Sequence, residues 1–320
     1  MELQITHTTT YRYSGYASQS HNELRLTPIT DAHEECIDDN ITVIPAAKMF
    51  HYQSPGGRVD HFDLHVPHRE LVIRADARVR TLLDDPFENM NLIADDWSEI
   101  TDAFCTENCD WLIETSRVNY RDTALKANIE ELLVAAKRAA EYPSIASTLV
   151  ALINIIHHRF PYSPGATHVH TALADLFHGV RAGVCQDHAH IMLAVCRSAG
   201  IPCRYVSGYL YTSHGLVSGD HMHAWVECLI PSNEHLRDQP RGDEGGSPAG
   251  WVWRGFDATN RIVAGKSFVK CHFGRDYTDA VPTKGIYTGY ATTGLLVDVR
   301  VRQLINGQPV DTQPQELSLR

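Results

Sequence analysis

Gly183-Val184-Cys185-Gln186-Asp187-His188-Ala189-His190 decides how this chain is read. Gly179 and Gly183 lead to one cysteine at the start of an apolar run, residues 189–199. Met192, Leu193, Val195 and Cys196 recur there at helical spacing before Gly200 and Pro202 end the pattern. The pattern predicts a buried helix with Cys185 at its N-terminus. A thiol in that position lies over unpaired backbone N–H groups and at the positive end of the helix dipole. Both favour the nucleophilic thiolate. The same N–H groups can hold an oxyanion opposite the attacking sulfur.

Two later stretches supply what such a cysteine needs. His221-Met222-His223-Ala224-Trp225-Val226-Glu227 alternates like a half-buried strand, and Trp253-Arg254-Gly255-Phe256-Asp257-Ala258-Thr259-Asn260 is a short apolar strand ending in an acid. Cysteine on a helix, histidine on one strand and aspartate on the next make a set of nucleophile, base and orienter. Alternation puts His221 and His223 on one face, so spacing alone does not choose between them. Asp257 has a competing reading as a turn residue, since Asp257-Ala258-Thr259-Asn260 is good turn chemistry. His188, His190, His221 and His223 with Asp187 invite a metal reading. Residues two apart on a helix do not face together, however, and the expectation is no metal. Asp187 is expected to stabilise the helix start, Trp225 to be core, and Cys196 and Cys203 to be buried structural thiols.

The order Gly-Val-Cys-Gln-Asp-His-Ala, His-Ala-Trp-Val-Glu, Phe-Asp-Ala-Thr-Asn resembles the three-part signature of the transglutaminase-like superfamily, whose bacterial members are often described as cysteine proteases. The ends resemble the same subgroup: Thr8-Thr9-Thr10-Tyr11-Arg12-Tyr13 and Asn22-Glu23-Leu24-Arg25-Leu26-Thr27-Pro28 early, Phe273-Gly274-Arg275-Asp276-Tyr277-Thr278-Asp279 late. The resemblance thus covers nearly the whole chain. It implies that Cys185, His223 and Asp257 are catalytic, and it selects His223 because the family's histidine precedes a small residue and Trp. Ala258 departs from the family's usual Pro, which loosens the turn and leaves the carboxylate. The Gly274–Tyr277 stretch either shapes the cleft or forms a structural Arg–Asp pair.

The chain has 320 residues, 43% hydrophobic and 21% charged, enough for a sizeable core. A formal net charge of −11 and the lack of a basic run exclude nucleic acid as partner. No apolar run approaches a membrane span, and the start lacks a signal-peptide pattern, so a cytoplasmic location is expected. The eight cysteines form no regular framework and read as free thiols; Cys105 and Cys109 lack a second half for a metal site.

Short alternating runs at residues 3–13, 23–27, 36–44, 50–52, 59–66 and 71–83, with a hairpin turn at Ser54-Pro55-Gly56-Gly57-Arg58, predict an antiparallel β-sandwich. From about residue 87 to 160 the reading is helical, clearest at 124–140 and 144–158, with a short helix at 173–177. Strands are expected at 203–211, 221–230, 251–256 and 295–301. Residues 231–250 read as a polar surface loop and the last residues as frayed. The division is 1–85 N-terminal β-sandwich, 86–160 helical connector and start of the core, and 161–320 catalytic core with the C-terminal strands.

The expectation is an α+β protein with a papain-like transglutaminase core. It transfers the acyl group of an amide through a Cys185 thioester, with a peptide or amide-containing substrate and no cofactor. Water as acceptor makes it a cysteine protease or amidase. An amine acceptor makes it a protein-glutamine transglutaminase. The rivals from other classes are a non-catalytic binding protein on the same scaffold and a metal-dependent hydrolase. Oligomeric state is not legible in the sequence.

Overall fold

The structure is a computed structural model that describes residues 1–212, 216–217, 221–233 and 248–310. Most of the polar 231–250 stretch and the final residues therefore lie outside the described residues. Strand alternation builds the first third. In β1 (Glu2–Ala17), Leu3, Ile5, His7 and Thr9 are buried while their neighbours are exposed or half-buried. Then come β2 (Gln19–Leu24), β3 (Glu34–Ile44), β4 (Phe50–Ser54), β5 (Gly57–Leu64) and β6 (His68–Thr81). Ser54 pairs with Gly57 across the two-residue Pro55-Gly56 turn. A side chain at Gly56 would meet Phe273 O at 1.9 Å, so only glycine lets this turn lie against the core.

Residues 87–122 carry less helix than the sequence suggests. Among these residues the only α-helix is α1 (Asp102–Glu107). The physical reason is local competition for the backbone. Asp85 Oδ1 accepts from Phe87 N at 2.9 Å, Asn91 Oδ1 from Ala94 N at 3.1 Å and Asp95 Oδ1 from Trp97 N at 3.2 Å. Regular helices follow: α2 (Thr123–Ala139), α3 (Ile145–Arg159), the short α4 (Leu173–Asp175) running into a π turn at Leu176–Val180, and α5 (Cys185–Ser198). Asp122 caps α2 by accepting from Ala124 N, and Ser144 caps α3 by accepting from Ser147 N.

The core sheet has the order β10-β9-β8-β7-β11, with β7 (Cys203–Leu210), β8 (His223–Pro231), β9 (Trp251–Asp257), β10 (Ile262–Val263) and β11 (Phe268–Gly274). Ala224, Val226, Cys228 and Ile230, alternate residues of β8, join Ile191, Met192, Leu193 and Val195 of α5 in one core. Full burial of each such aliphatic side chain is worth about 1.5–3 kcal/mol, which fixes α5 across the sheet.

The strands after residue 282 do not join this sheet. β12 (Thr283–Thr288) pairs with β2, and β13 (Thr293–Ile305), extended by β14 (Gln308–Val310), pairs with β1. The sandwich is thus a β14-β13-β1-β6-β3 sheet and a β12-β2-β5-β4 sheet, closed around Tyr13, Leu24, Leu26, Phe62, Leu64, Leu71 and Ile73. The sequence reading groups the last strands with the core. The fold gives them to the N-terminal sheets, because a strand's partner is set by long-range packing that local pattern does not encode.

Candidate active site

Cys185 is the first residue of α5 and half-buried. The approach to it is held by one carboxyl. Asp187 Oδ2 accepts from Val184 N at 2.8 Å and from Thr167 Oγ1 at 2.6 Å. Burial pushes this carboxyl above its ordinary range, against the two hydrogen bonds. Asp187 lies against the backbone of Gly183, where a Cβ would come 2.6 Å from Oδ2. Gly183 is therefore required by close approach, and it also donates to Pro161 O and accepts from Ser163 N. The helix-start role expected for Asp187 is what its contacts provide.

Antiparallel pairing of β8 with β9 brings the histidine and the acid together. His223 Nε2 donates to Asp257 Oδ2 at 2.8 Å, with the two residues 1% and 0% exposed. Burial alone would lower the imidazole, but the charge and hydrogen bond of Asp257, aided by the Cys185 thiol, raise it from 6.5 to about 10. With Nε2 engaged, the buried Nδ1 is the nitrogen left for the thiol. Trp225 and Phe268 flank the ring, at 6.3 and 6.2 Å between centroids, and keep water from the His–Asp bond. His221 precedes β8, is exposed, and its charge is felt by His7 of β1. The two histidines therefore do not share a strand face.

The two readings of Asp257 turn out to be compatible. Oδ2 serves His223, while Oδ1 accepts from Thr259 N at 2.8 Å and Asn260 N at 3.3 Å. Burial works against this charge, but His223, Asn260 and the Thr259 N–H together hold the carboxyl below its ordinary range. Asn260 is a residue whose role the sequence reading missed. Its Nδ2 donates to Asp257 Oδ2 at 2.7 Å, and its Oδ1 accepts from Val217 N at 2.9 Å, clasping the segment before β8. Its place in the Phe-Asp-Ala-Thr-Asn stretch was the available signal.

The remaining histidines of α5 are structural. His188 donates from Nε2 to Phe160 O at 2.7 Å, so Nδ1 accepts from Thr259 Oγ1 at 2.9 Å. Burial lowers it to about 4, and it stays neutral. His190 is likewise lowered to about 4 by burial and accepts from Tyr277 N at 3.3 Å. Among the described residues no three His, Cys, Asp or Glu side chains gather as a metal site. Arg275 pairs with Asp279 at 2.8 Å and not with Asp276, whose Oδ1 caps Thr278 N. Among the described residues no helix is long and apolar enough to cross a membrane.

The raised imidazole has a consequence for stability. A group whose folded pKa exceeds its unfolded one stabilises fully below the unfolded value and loses that contribution as pH rises through the folded value. For His223 the window is from 6.5 to about 10. Urea midpoints are expected to fall across this window in the wild type, and to fall less in His223→Ala. Equal slopes would contradict the assignment.

Comparison with known proteins shows the family. The model for the transglutaminase-like superfamily matches residues 131–252, which include Cys185 and His223 and stop short of Asp257. The model for the bacterial transglutaminase-like N-terminal region matches residues 3–80. An uncharacterized protein of Mycobacterium leprae is 32% identical over 94% of this chain and 99% of its own. Another from Mycobacterium bovis is 26% identical over 93% and 91%. A crystal structure from Cytophaga hutchinsonii, described as a "Putative Cysteine Protease", superposes with a TM-score of 0.66 at 21% identity, covering 95% of this chain and 92% of that one. It carries the same fold, a mixed α/β architecture with a papain-like core. The family of thiol-dependent hydrolases and acyltransferases is thereby settled at that coarse level: this chain belongs to the transglutaminase-like superfamily and bears the bacterial transglutaminase-like N-terminal region.

Proposed function

We propose that Cys185, His223 and Asp257 hydrolyse an amide bond through a thioester. The observation that carries this reading is the buried His223–Asp257 hydrogen bond of 2.8 Å, beside which the imidazole also feels the Cys185 thiol and is raised in consequence. The thiol proton passes to Nδ1 of His223, and Sγ attacks the carbonyl carbon. The carbonyl oxygen takes the electron pair and is met by the first N–H groups of α5, which have no intrahelical partners. Collapse breaks the C–N bond as Nδ1–H protonates the leaving amine. Water then gives a proton to Nδ1, attacks the thioester, and the regenerated thiol leaves with the carboxylic acid as product. Asp257 keeps the ring in one orientation and offsets its charge. Water is the assigned acceptor, as in the hydrolytic bacterial members the chain resembles; an amine in its place gives transamidation.

Alkylation tests the pairing before any substrate is known. At about pH 6, Cys185 should react with iodoacetamide faster than a free cysteine does, and His223→Ala should lose the excess, read by mass spectrometry at Cys185. Equal rates in wild type and variant would remove the basis of the proposal. With a substrate in hand, added amines that divert the thioester would assign the amine-acceptor reading.

A further inference from the structure

The wall beside the thiol carries one guanidinium and two imidazoles as hydrogen-bond donors, which a net charge of −11 does not foreshadow. Gln186, next to Cys185, donates from Nε2 to Val169 O at 3.4 Å. The following residue, His170, accepts at Nδ1 from Arg117 Nη2 at 3.0 Å. A guanidinium can only donate, so His170 is neutral with its proton on Nε2. His168 Nδ1 accepts from His170 N at 3.1 Å, which leaves Nε2–H as its free donor. Arg117, His168 and His170 thus offer donors within a short chain of contacts from the nucleophile.

Arg117 forms no ion pair with a carboxylate among the described residues. Asp187 and Asp276, which together with Cys185 act on the Tyr205 phenol, are already committed, Asp187 to Val184 N and Thr167, and Asp276 to Thr278 N. Tyr277 connects the two ends. Its phenol is raised by burial first, and it also feels Cys185, which raises it, and Arg117, which lowers it.

We infer that Arg117, oriented by His170, receives a carboxylate of the substrate beside the amide that Cys185 attacks, so the substrate is an acidic peptide or amide. An Arg–carboxylate pair is charge-assisted and geometrically selective, which suits recognition. This inference rests on the acyl-transfer reading of Cys185, and the test separates the two.

The probes are 3-maleimidopropionate and its neutral primary amide, with the rate of each measured at Cys185 by mass spectrometry. The anionic-to-neutral rate ratio is expected to fall about tenfold from wild type to Arg117→Gln, in line with one charged hydrogen bond. Arg117→Lys should retain part of the preference, and added salt should shrink the wild-type ratio. A ratio unchanged in Arg117→Gln, with far-UV circular dichroism unaltered, would overturn the inference. Because it is a quotient, the ratio stays readable at any absolute reactivity. A thiol slow towards both probes counts against acyl transfer, and the ratio still decides the carboxylate site.

Discussion

Cys185→Ala is expected to lower turnover of any amide the wild type processes by about 10⁴-fold or more, with the fold intact. The sulfur is the proposed nucleophile, and the other thiols of the catalytic core's interior are not placed to replace it. Cys196, Cys203 and Cys228 are buried in the core, and burial pushes all three thiols up, away from the reactive form. Alanine is well tolerated at the first position of α5, because the helix start is held by Asp187, Val184 and Thr167 and not by the thiol. Urea midpoints should therefore be nearly unchanged. Retained turnover in the alanine variant, with wild-type stability, would mean that the chemistry lies elsewhere.

The second large effect is on stability. Lys270 of β11 is buried, with Nζ 2.6 Å from Glu227 of β8 and 2.8 Å from Asp31, in the link between β2 and β3. Glu227 also receives Arg204 Nε of β7 at 2.6 Å, and the Arg204 guanidinium lies over the rings of Trp253 and Phe273. Burial opposes the charge on Glu227, but Arg204 and Lys270 overcome it and hold the carboxyl down to about 2. Lys270→Met would leave a buried carboxylate, Glu227, and a half-buried one, Asp31, short of a partner. Breaking a buried pair from one side typically costs about 3–5 kcal/mol. Exposed Lys266, replaced by Met, should stay within about 0.5 kcal/mol of the wild type. If urea unfolding gave the two variants the same midpoint, the network would not hold the core to the sandwich.

These residues show what the sequence made legible. Cys185 at a helix start could be read because Gly183, the apolar run and Gly200 are local signals. The choice of His223 came from the resemblance, and spacing could not have made it, since His221 turns out to precede the strand. β11 escaped the reading because Lys270 and His272 interrupt its apolar pattern, and its register shifts between them. A charge there makes sense only once Glu227 and Asp31, distant in sequence, are seen beside it. Asn260 was quoted within a motif but given no task, because its contacts to Asp257 and Val217 arise from tertiary placement. Arg117 lay in a stretch read as helical, where an arginine is an ordinary surface residue.

The pairing of β13 with β1 has a consequence for how the molecule comes into being. Thr8 lies opposite Asp298, so β1 waits for about 290 further residues to be synthesised before that side is covered. Contacts so distant in sequence form slowly, and an open strand edge invites association with other chains. Meanwhile the core, from α2 to β11, can assemble from contacts closer in sequence. The sandwich then closes last, like a clasp drawn around a finished core. Chains halted before β13 would carry a complete Cys185–His223–Asp257 set and an exposed β1 edge, which makes biosynthetic arrest a route to aggregation and not to a truncated enzyme.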